Sequence, residues 1–191
     1  MKRKMTAAIL VASLGLSACV PLVIAGGVAV GAWIGSDPRK TETIKDDTEL
    51  SSKLSANVID EWKEKAHVNV NAFNGAVLLS GEVPSDEARK KLEEFARKYP
   101  KMRRIYNETV VAQPSSAMDR MNDTQLTTRV KSAVLLSVGD AASVHIQVIT
   151  ERKVVYLLGI IDPALANKAA QAAASVSGVA QVVKLMEAAP K

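Results

Sequence analysis

Cysteine is nearly absent. The 191 residues contain one, Cys19, so no intramolecular disulfide reports the compartment. Aromatic residues make up 4% of the chain, and its cores must be built mainly from Val, Leu, Ile and Ala. An excess of one charge is missing as well. Of the formal net charge of +5, three charges belong to Lys2, Arg3 and Lys4, and the remaining 22 basic residues face 20 acidic ones. That balance lacks the concentrated positive face of a nucleic-acid binder. No G-x-S-x-G, Walker loop or dinucleotide fingerprint occurs. The adjacent carboxylates Asp46 and Asp47 do not face each other on a helix start and suit its positive dipole end better. No enzymatic activity and no cofactor are expected.

What is present begins with Lys2-Arg3-Lys4 and an apolar run from Ala7 to Leu16, the n-region and h-region of a secretory signal peptide. The run ends in Leu16-Ser17-Ala18-Cys19. These four residues resemble the lipobox of bacterial lipoproteins. The resemblance implies that residues 1–18 are removed, that the Cys19 sulfur carries a diacylglycerol thioether, and that its new amino group carries a third acyl chain. A thiolate is the better nucleophile for such a transfer. The competing reading is one uncleaved membrane helix from Ala7 to Ile34, which Pro21 and five glycines between residues 15 and 35 suit poorly.

After Cys19 the chain stays small and apolar to Ile34, with Gly27, Gly31 and Gly35 in G-x-x-x-G steps. Only about 15 residues separate Cys19 from Gly35, whereas about 20 are needed to cross a bilayer. The stretch fits a tether near the head groups, with a self-packing helix as the alternative. Ser36-Asp37-Pro38 breaks the pattern, and residues 19–45 read as tether and linker. Even as loose coil, the residues from Val20 to Asp46 span on the order of 30 Å.

The rest is an internal repeat. Asp47-Thr48-Glu49-Leu50 returns as Asp123-Thr124-Gln125-Leu126, and Val77-Leu78-Leu79-Ser80-Gly81 returns as Val155-Tyr156-Leu157-Leu158-Gly159. Each copy opens with a helix N-capped by Asp or Thr, its apolar stripe being Leu50, Leu54, Val58 or Leu126, Val130, Val134. Strands follow over 67–73 and 76–83, then 145–150 and 154–161. Asn74-Gly75 is a strong hairpin turn, while Arg152-Lys153 disfavours positive φ and predicts a different turn. A second helix begins at Ser85 or Asp86 in one copy and at Asp162-Pro163 in the other. Closing strands lie over 103–111 and 180–186. The fold class is α+β: two αββαβ units over 46–112 and 123–188, joined by a linker over 113–122. Each has a three-stranded mixed sheet with two helices on one face. Units of about 65 residues are marginal alone, so docking of one on the other is expected.

The Val-x-Val strand, the Asn-Gly turn, the Val-x-Leu-x-Gly strand, Asn107 and Gly178-Val179 resemble the BON domain, a small periplasmic module of bacteria. With the lipobox, Ser36-Asp37-Pro38-Arg39 and Asp46-Asp47, the chain is similar to the dual BON-domain outer-membrane lipoproteins. That resemblance implies a lipid-anchored protein facing the periplasm, anionic phospholipid binding by the second domain, and a role in envelope integrity, including at division sites. The alternative is a structural adaptor that binds another envelope protein.

His67 and His145 occupy equivalent places, one residue before Val68 and Ile146, and alternation puts them on the opposite face. Neither has a ligand-type neighbour at metal spacing, so both are expected to be exposed strand residues and no metal site is expected. Two basic features compete for anionic lipid. One is Arg97, Lys98, Lys101, Arg103 and Arg104, diluted by Glu93 and Glu94. The other is on the first helix of the second copy. Turning Leu126, Val130, Ala133, Val134 and Ser137 inward sends Thr128, Lys131 and Leu135 outward, with Arg129 flanking and Val138 close by. A leucine one turn after a lysine can insert while the ammonium meets phosphate. The second copy is also the more basic: residues 119–191 carry eight basic and six acidic residues, against 13 of each over 40–112. The neutral first copy suits a protein partner better. Cys19→Ala should leave an unprocessed precursor, and palmitate label that persists in that variant would contradict the lipobox. Val20 after the cysteine implies export to the outer membrane.

Overall fold

The repeat's most apolar runs become the central strands. In the computed structural model, residues 37–189 are described. The first copy comprises α1 (Thr41–Trp62), β1 (His67–Phe73), β2 (Ala76–Val83), α2 (Asp86–Arg97) and β3 (Arg104–Val111). The second comprises α3 (Ala117–Val138), a one-turn α4 (Asp140–Ser143), β4 (Ile146–Glu151), β5 (Val154–Ile161), α5 (Pro163–Ala174) and β6 (Gln181–Ala188). The signal peptide, Cys19 and the glycine-rich tether lie outside the described residues. In each copy the middle strand pairs antiparallel with its hairpin neighbour and parallel with the last strand. The sheet orders are β1-β2-β3 and β4-β5-β6, both mixed, as the sequence predicts.

One face of each sheet is covered by its own helices. Leu50, Leu54, Val58 and Trp62 of α1, with Ala88, Leu92 and Ala96 of α2, close over Val77, Leu79 and Val83. Leu126, Val130 and Val134 of α3, with Ala166, Ala169 and Ala173 of α5, close over Val155, Leu157 and Ile161. The helical stripes fall where the spacing puts them, with two exceptions. Ser137 is exposed, and Val138 packs against the core.

The other faces meet each other. Phe73 and Leu78 of the first copy pack with Tyr156 and Leu158 of the second, flanked by Tyr106, Ile149, Val183 and Leu185. β2 is buried along its whole length. Burial of a Leu or Phe side chain stabilises by about 1.5–3 kcal/mol, so this contact matters for units so small. The copies dock sheet to sheet.

Two linker boundaries differ from expectation. α1 starts at Thr41 and α3 at Ala117, inside the stretches read as linker over 19–45 and 113–122. For α3 the cause is a capping box: the Ser116 hydroxyl accepts from the Asp119 amide, while the Asp119 carboxylate accepts from the Ser116 amide. Ahead of α1, the Arg39 guanidinium donates to Asp37 at 2.8 and 3.0 Å and to Asp47 at 2.9 Å. It also lies 3.9 Å from the centre of the Phe73 ring, which ties this segment to the first hairpin.

Asp47 and Asp123 are therefore not N-caps. Both are buried in mid-helix and reach across to the hairpin turns. Asp47 accepts the Asn74 and Gly75 amides at 2.6 and 2.8 Å, and Asp123 accepts the Arg152 and Lys153 amides at 2.7 and 3.0 Å. This corrects the expected difference between the turns. Arg152 and Lys153 have φ of 53° and 63°, and Asn74 and Gly75 have 52° and 73°, so both hairpins use the same left-handed turn. Non-glycine residues there cost on the order of 1–2 kcal/mol each, and the two charge-assisted hydrogen bonds that the Arg152 and Lys153 amides donate to Asp123 offset it. The repeated Gly81 and Gly159 have a steric cause. A Cβ on either would run into the backbone carbonyl oxygen of His67 or of His145.

If this clamp holds the second turn, Lys153→Gly should raise unfolding free energy by about 1 kcal/mol, and Asp123→Ala should lower it by at least about 2 kcal/mol. Equal stability of Asp123→Ala and the parent in urea melts would contradict the account.

Candidate functional site

α3 shows what a helix presents when only one side is used by its own domain. Asp123, Leu126, Val130 and Val134 point into the second copy. Opposite them, Thr128, Arg129, Lys131 and Leu135 are all exposed, as expected from the spacing. Leu136 was not singled out from the sequence, yet it is 87% exposed beside Leu135 at 39%. Met118 and Met121 are exposed at the other end of the helix. Between the two apolar ends, the hydroxyls of Thr124, Thr128 and Ser132 donate to the carbonyls one turn back, at 2.9, 3.2 and 3.1 Å. Hydroxyls spent in this way present less polarity than the sequence suggests. Arg129 is partly occupied, because its guanidinium donates to the Ser177 carbonyl at 2.9 Å. Among the described residues, no helix is long and apolar enough to cross a membrane.

Each cation of the competing basic cluster has a neighbour, and Arg103 also reaches Glu187 of the second copy. Arg97 pairs with Glu93, and Lys98 lies over the Phe95 ring. Lys101 bonds Asp46 at 2.9 Å, Arg103 reaches the Asn74 carbonyl at 3.0 Å, and Arg104 reaches the Tyr106 hydroxyl at 3.0 Å.

The histidines sit differently from expectation. His145 lies in the turn before β4 rather than in the strand and is half-buried. His67 does lie on the β1 face away from the helices, but that face is covered by the second sheet. Its Nδ1 stands 3.3 Å from Glu82 Oε2 and 3.9 Å from Glu151 Oε1, so it has two acidic neighbours that sequence spacing did not show. Glu82 is wholly buried, and Arg152 donates to its Oε1 at 3.0 Å while the Ser115 amide donates to its Oε2 at 3.1 Å. Asn69 donates to Glu151 Oε2, and Glu151 Oε1 is buried without a hydrogen-bond partner. Among the described residues, His67, Glu82 and Glu151 are the group able to offer three metal-ligand atoms, all within 4.8 Å of one another.

Burial pushes the Glu151 carboxyl up to about 7, with the nearby Glu82 adding to the rise and Asn69 and Arg152 opposing it. A carboxyl raised above its ordinary 4.5 favours the neutral form in the fold. Its contribution to stability is therefore complete below about pH 4.5 and is lost as pH rises through about 7. Unfolding midpoints measured in chelator should fall over that window, by a free energy of at most about 3 kcal/mol, and Glu151→Gln should flatten the fall. A parent profile parallel to that of Glu151→Gln would contradict this assignment.

Comparison with known proteins gives the family. The BON domain model matches residues 46–113 and 122–190. The outer membrane lipoprotein DolP of Haemophilus influenzae is 37% identical over 186 residues, covering 96% of this chain and 95% of that protein. The 21 kDa hemolysin of Actinobacillus pleuropneumoniae is 34% identical over 152 residues, 78% of each chain. Among solved structures, CdsD, a structural protein of the type III secretion system of Chlamydia trachomatis, covers 75% of this chain and 93% of its own at 13% identity. Its TM-score of 0.31 is too low to bear on function. With two matched copies filling most of its length, the chain belongs to the BON-domain family, as an outer-membrane lipoprotein of the dual-domain type.

Proposed function

We propose that this lipoprotein is held in the outer membrane by acylated Cys19, faces the periplasm, and binds anionic phospholipid through the outward face of α3. The carrying observation is the pair Leu135 and Leu136, exposed at 39% and 87%, one turn from the exposed Lys131. Leucines of this kind enter the acyl boundary while a lysine stays at the head groups. A basic residue near an anionic surface contributes about 1 kcal/mol and a buried leucine about 1.5–3 kcal/mol. The site is therefore weak by itself and depends on the covalent anchor to raise the local concentration of membrane. The 17 residues from Val20 to Ser36 span on the order of 20 Å as loose coil and serve as the tether through which the second domain turns back to its own bilayer. Bound there, the protein supports envelope integrity, including at division sites.

The Arg97–Arg104 cluster has no exposed leucine pair beside it among the described residues, which favours this helix over the first copy. Phosphatidylglycerol vesicles should bind a soluble variant lacking residues 1–36, and phosphatidylcholine vesicles should not. Leu135→Glu and Leu136→Glu should each weaken binding by at least about tenfold, the equivalent of 1.4 kcal/mol, with an unchanged circular dichroism spectrum. Lys131→Glu should weaken it most at low salt. Full binding by all three variants would remove α3 as the site. Failure of the parent to bind either vesicle would favour the adaptor reading, in which the first domain engages an envelope protein.

A further inference from the structure

We propose that His67, Glu82 and Glu151 form a binding site for a divalent transition cation, zinc by its ligand chemistry, that fastens the two BON domains to each other. The ligands come from both copies: His67 from β1 and Glu82 from β2 of the first, Glu151 from β4 of the second. Imidazole nitrogen and carboxylate oxygen are both ligand types that zinc takes, and three such ligands leave a fourth tetrahedral position to water. At zinc–ligand distances of about 2.0–2.1 Å, tetrahedral ligands stand about 3.4 Å apart. The separation of His67 Nδ1 from Glu82 Oε2 is 3.3 Å and from Glu151 Oε1 3.9 Å, and all three ligand atoms lie within 4.8 Å of one another, so a bound cation draws Glu151 inward. The Ser115 hydroxyl lies 3.4 Å from the same nitrogen.

Glu151 Oε1 is the observation that points to a ligand. The residue is 4% exposed, and this oxygen is buried, unpartnered and directed toward His67. A buried carboxylate oxygen without a partner is costly, and a cation removes that cost. Each carboxylate is already oriented through its other contacts, Glu151 by Asn69, and Glu82 by Arg152 and the Ser115 amide. Such outer partners are what hold metal ligands in place. A cation that displaces the proton from Glu151 leaves two carboxylates facing the one Arg152 guanidinium, a balance that suits a dication. His67 keeps 23% of its side chain exposed at the rim, which leaves a path for the ion to enter.

The test uses the full chain in detergent, stripped with chelator and titrated with zinc by calorimetry, and with magnesium as the hard-cation control. The parent should bind one zinc ion, its unfolding midpoint should rise with zinc, and magnesium should give neither effect. His67→Ala and Glu151→Gln should each weaken zinc binding by at least 100-fold and lose the rise in midpoint. Glu151→Gln keeps the shape of the side chain and its contact with Asn69, so loss there is not a failure to fold. Absence of saturable binding by the parent overturns the proposal. So does a variant that binds as the parent does, because the ion would then sit elsewhere, and so does an equal response to magnesium.

Discussion

Burial of the second face of each sheet is the constraint on which the rest depends. A three-stranded sheet with helices on one side leaves its other side to water, and here that side carries Phe73 and Leu78 in one copy and Tyr156 and Leu158 in the other. Packed together, they give two small units one shared interior. The contact also decides what remains free. With both sheets inside, the helices lie outermost, and among the described residues none covers Leu135 and Leu136 of α3.

The same constraint explains the polar cluster at the edge of the interface. Glu82 and Glu151 follow the strand alternation onto the buried face, where a carboxylate without compensation would oppose docking. Compensation crosses the boundary in both directions: Arg152 of the second copy reaches Glu82 of the first, and Asn69 of the first reaches Glu151 of the second. Asn74 and Arg103 likewise reach Glu187. Pairs of this kind fix how the apolar surfaces register on one another more than they add stability.

Much of this was legible in the sequence, because hydrophobic period and repetition are local signals. The strands at 67–73, 76–83 and 154–161, the stripes of the opening helices, and the caps at Ser85 and Asp162 all stand as read. What was missed depends on contacts distant in sequence. Asp47 and Asp123 look like helix caps until the hairpins they hold are in place. Arg152-Lys153 looks unable to make a left-handed turn until Asp123 supplies the hydrogen bonds. His67 looks exposed until a second sheet covers it. One signal could have foretold that cover: Val154-Val155-Tyr156-Leu157-Leu158 is apolar at successive positions, which marks a strand buried on both faces. Leu136 is not evident from the spacing because taking Ser137 as inward turns the outward arc toward Leu135, whereas Ser137 is exposed and Val138 packs inward.

The account makes α3 the part of the protein that enters the bilayer surface while the first domain stays in water. Removing residues 1–36 also removes the only cysteine, so a nitroxide can be placed at a single new cysteine, at position 136 or at position 98 on the first domain. The direct measurement is the accessibility of that label to oxygen, which concentrates in lipid, and to a water-soluble nickel complex, with phosphatidylglycerol vesicles present. At position 136 vesicles should raise oxygen accessibility and lower nickel accessibility, with no change at position 98. A label at 136 that stays open to nickel on vesicles that have bound the protein, or one at 98 that enters the lipid instead, would contradict the account.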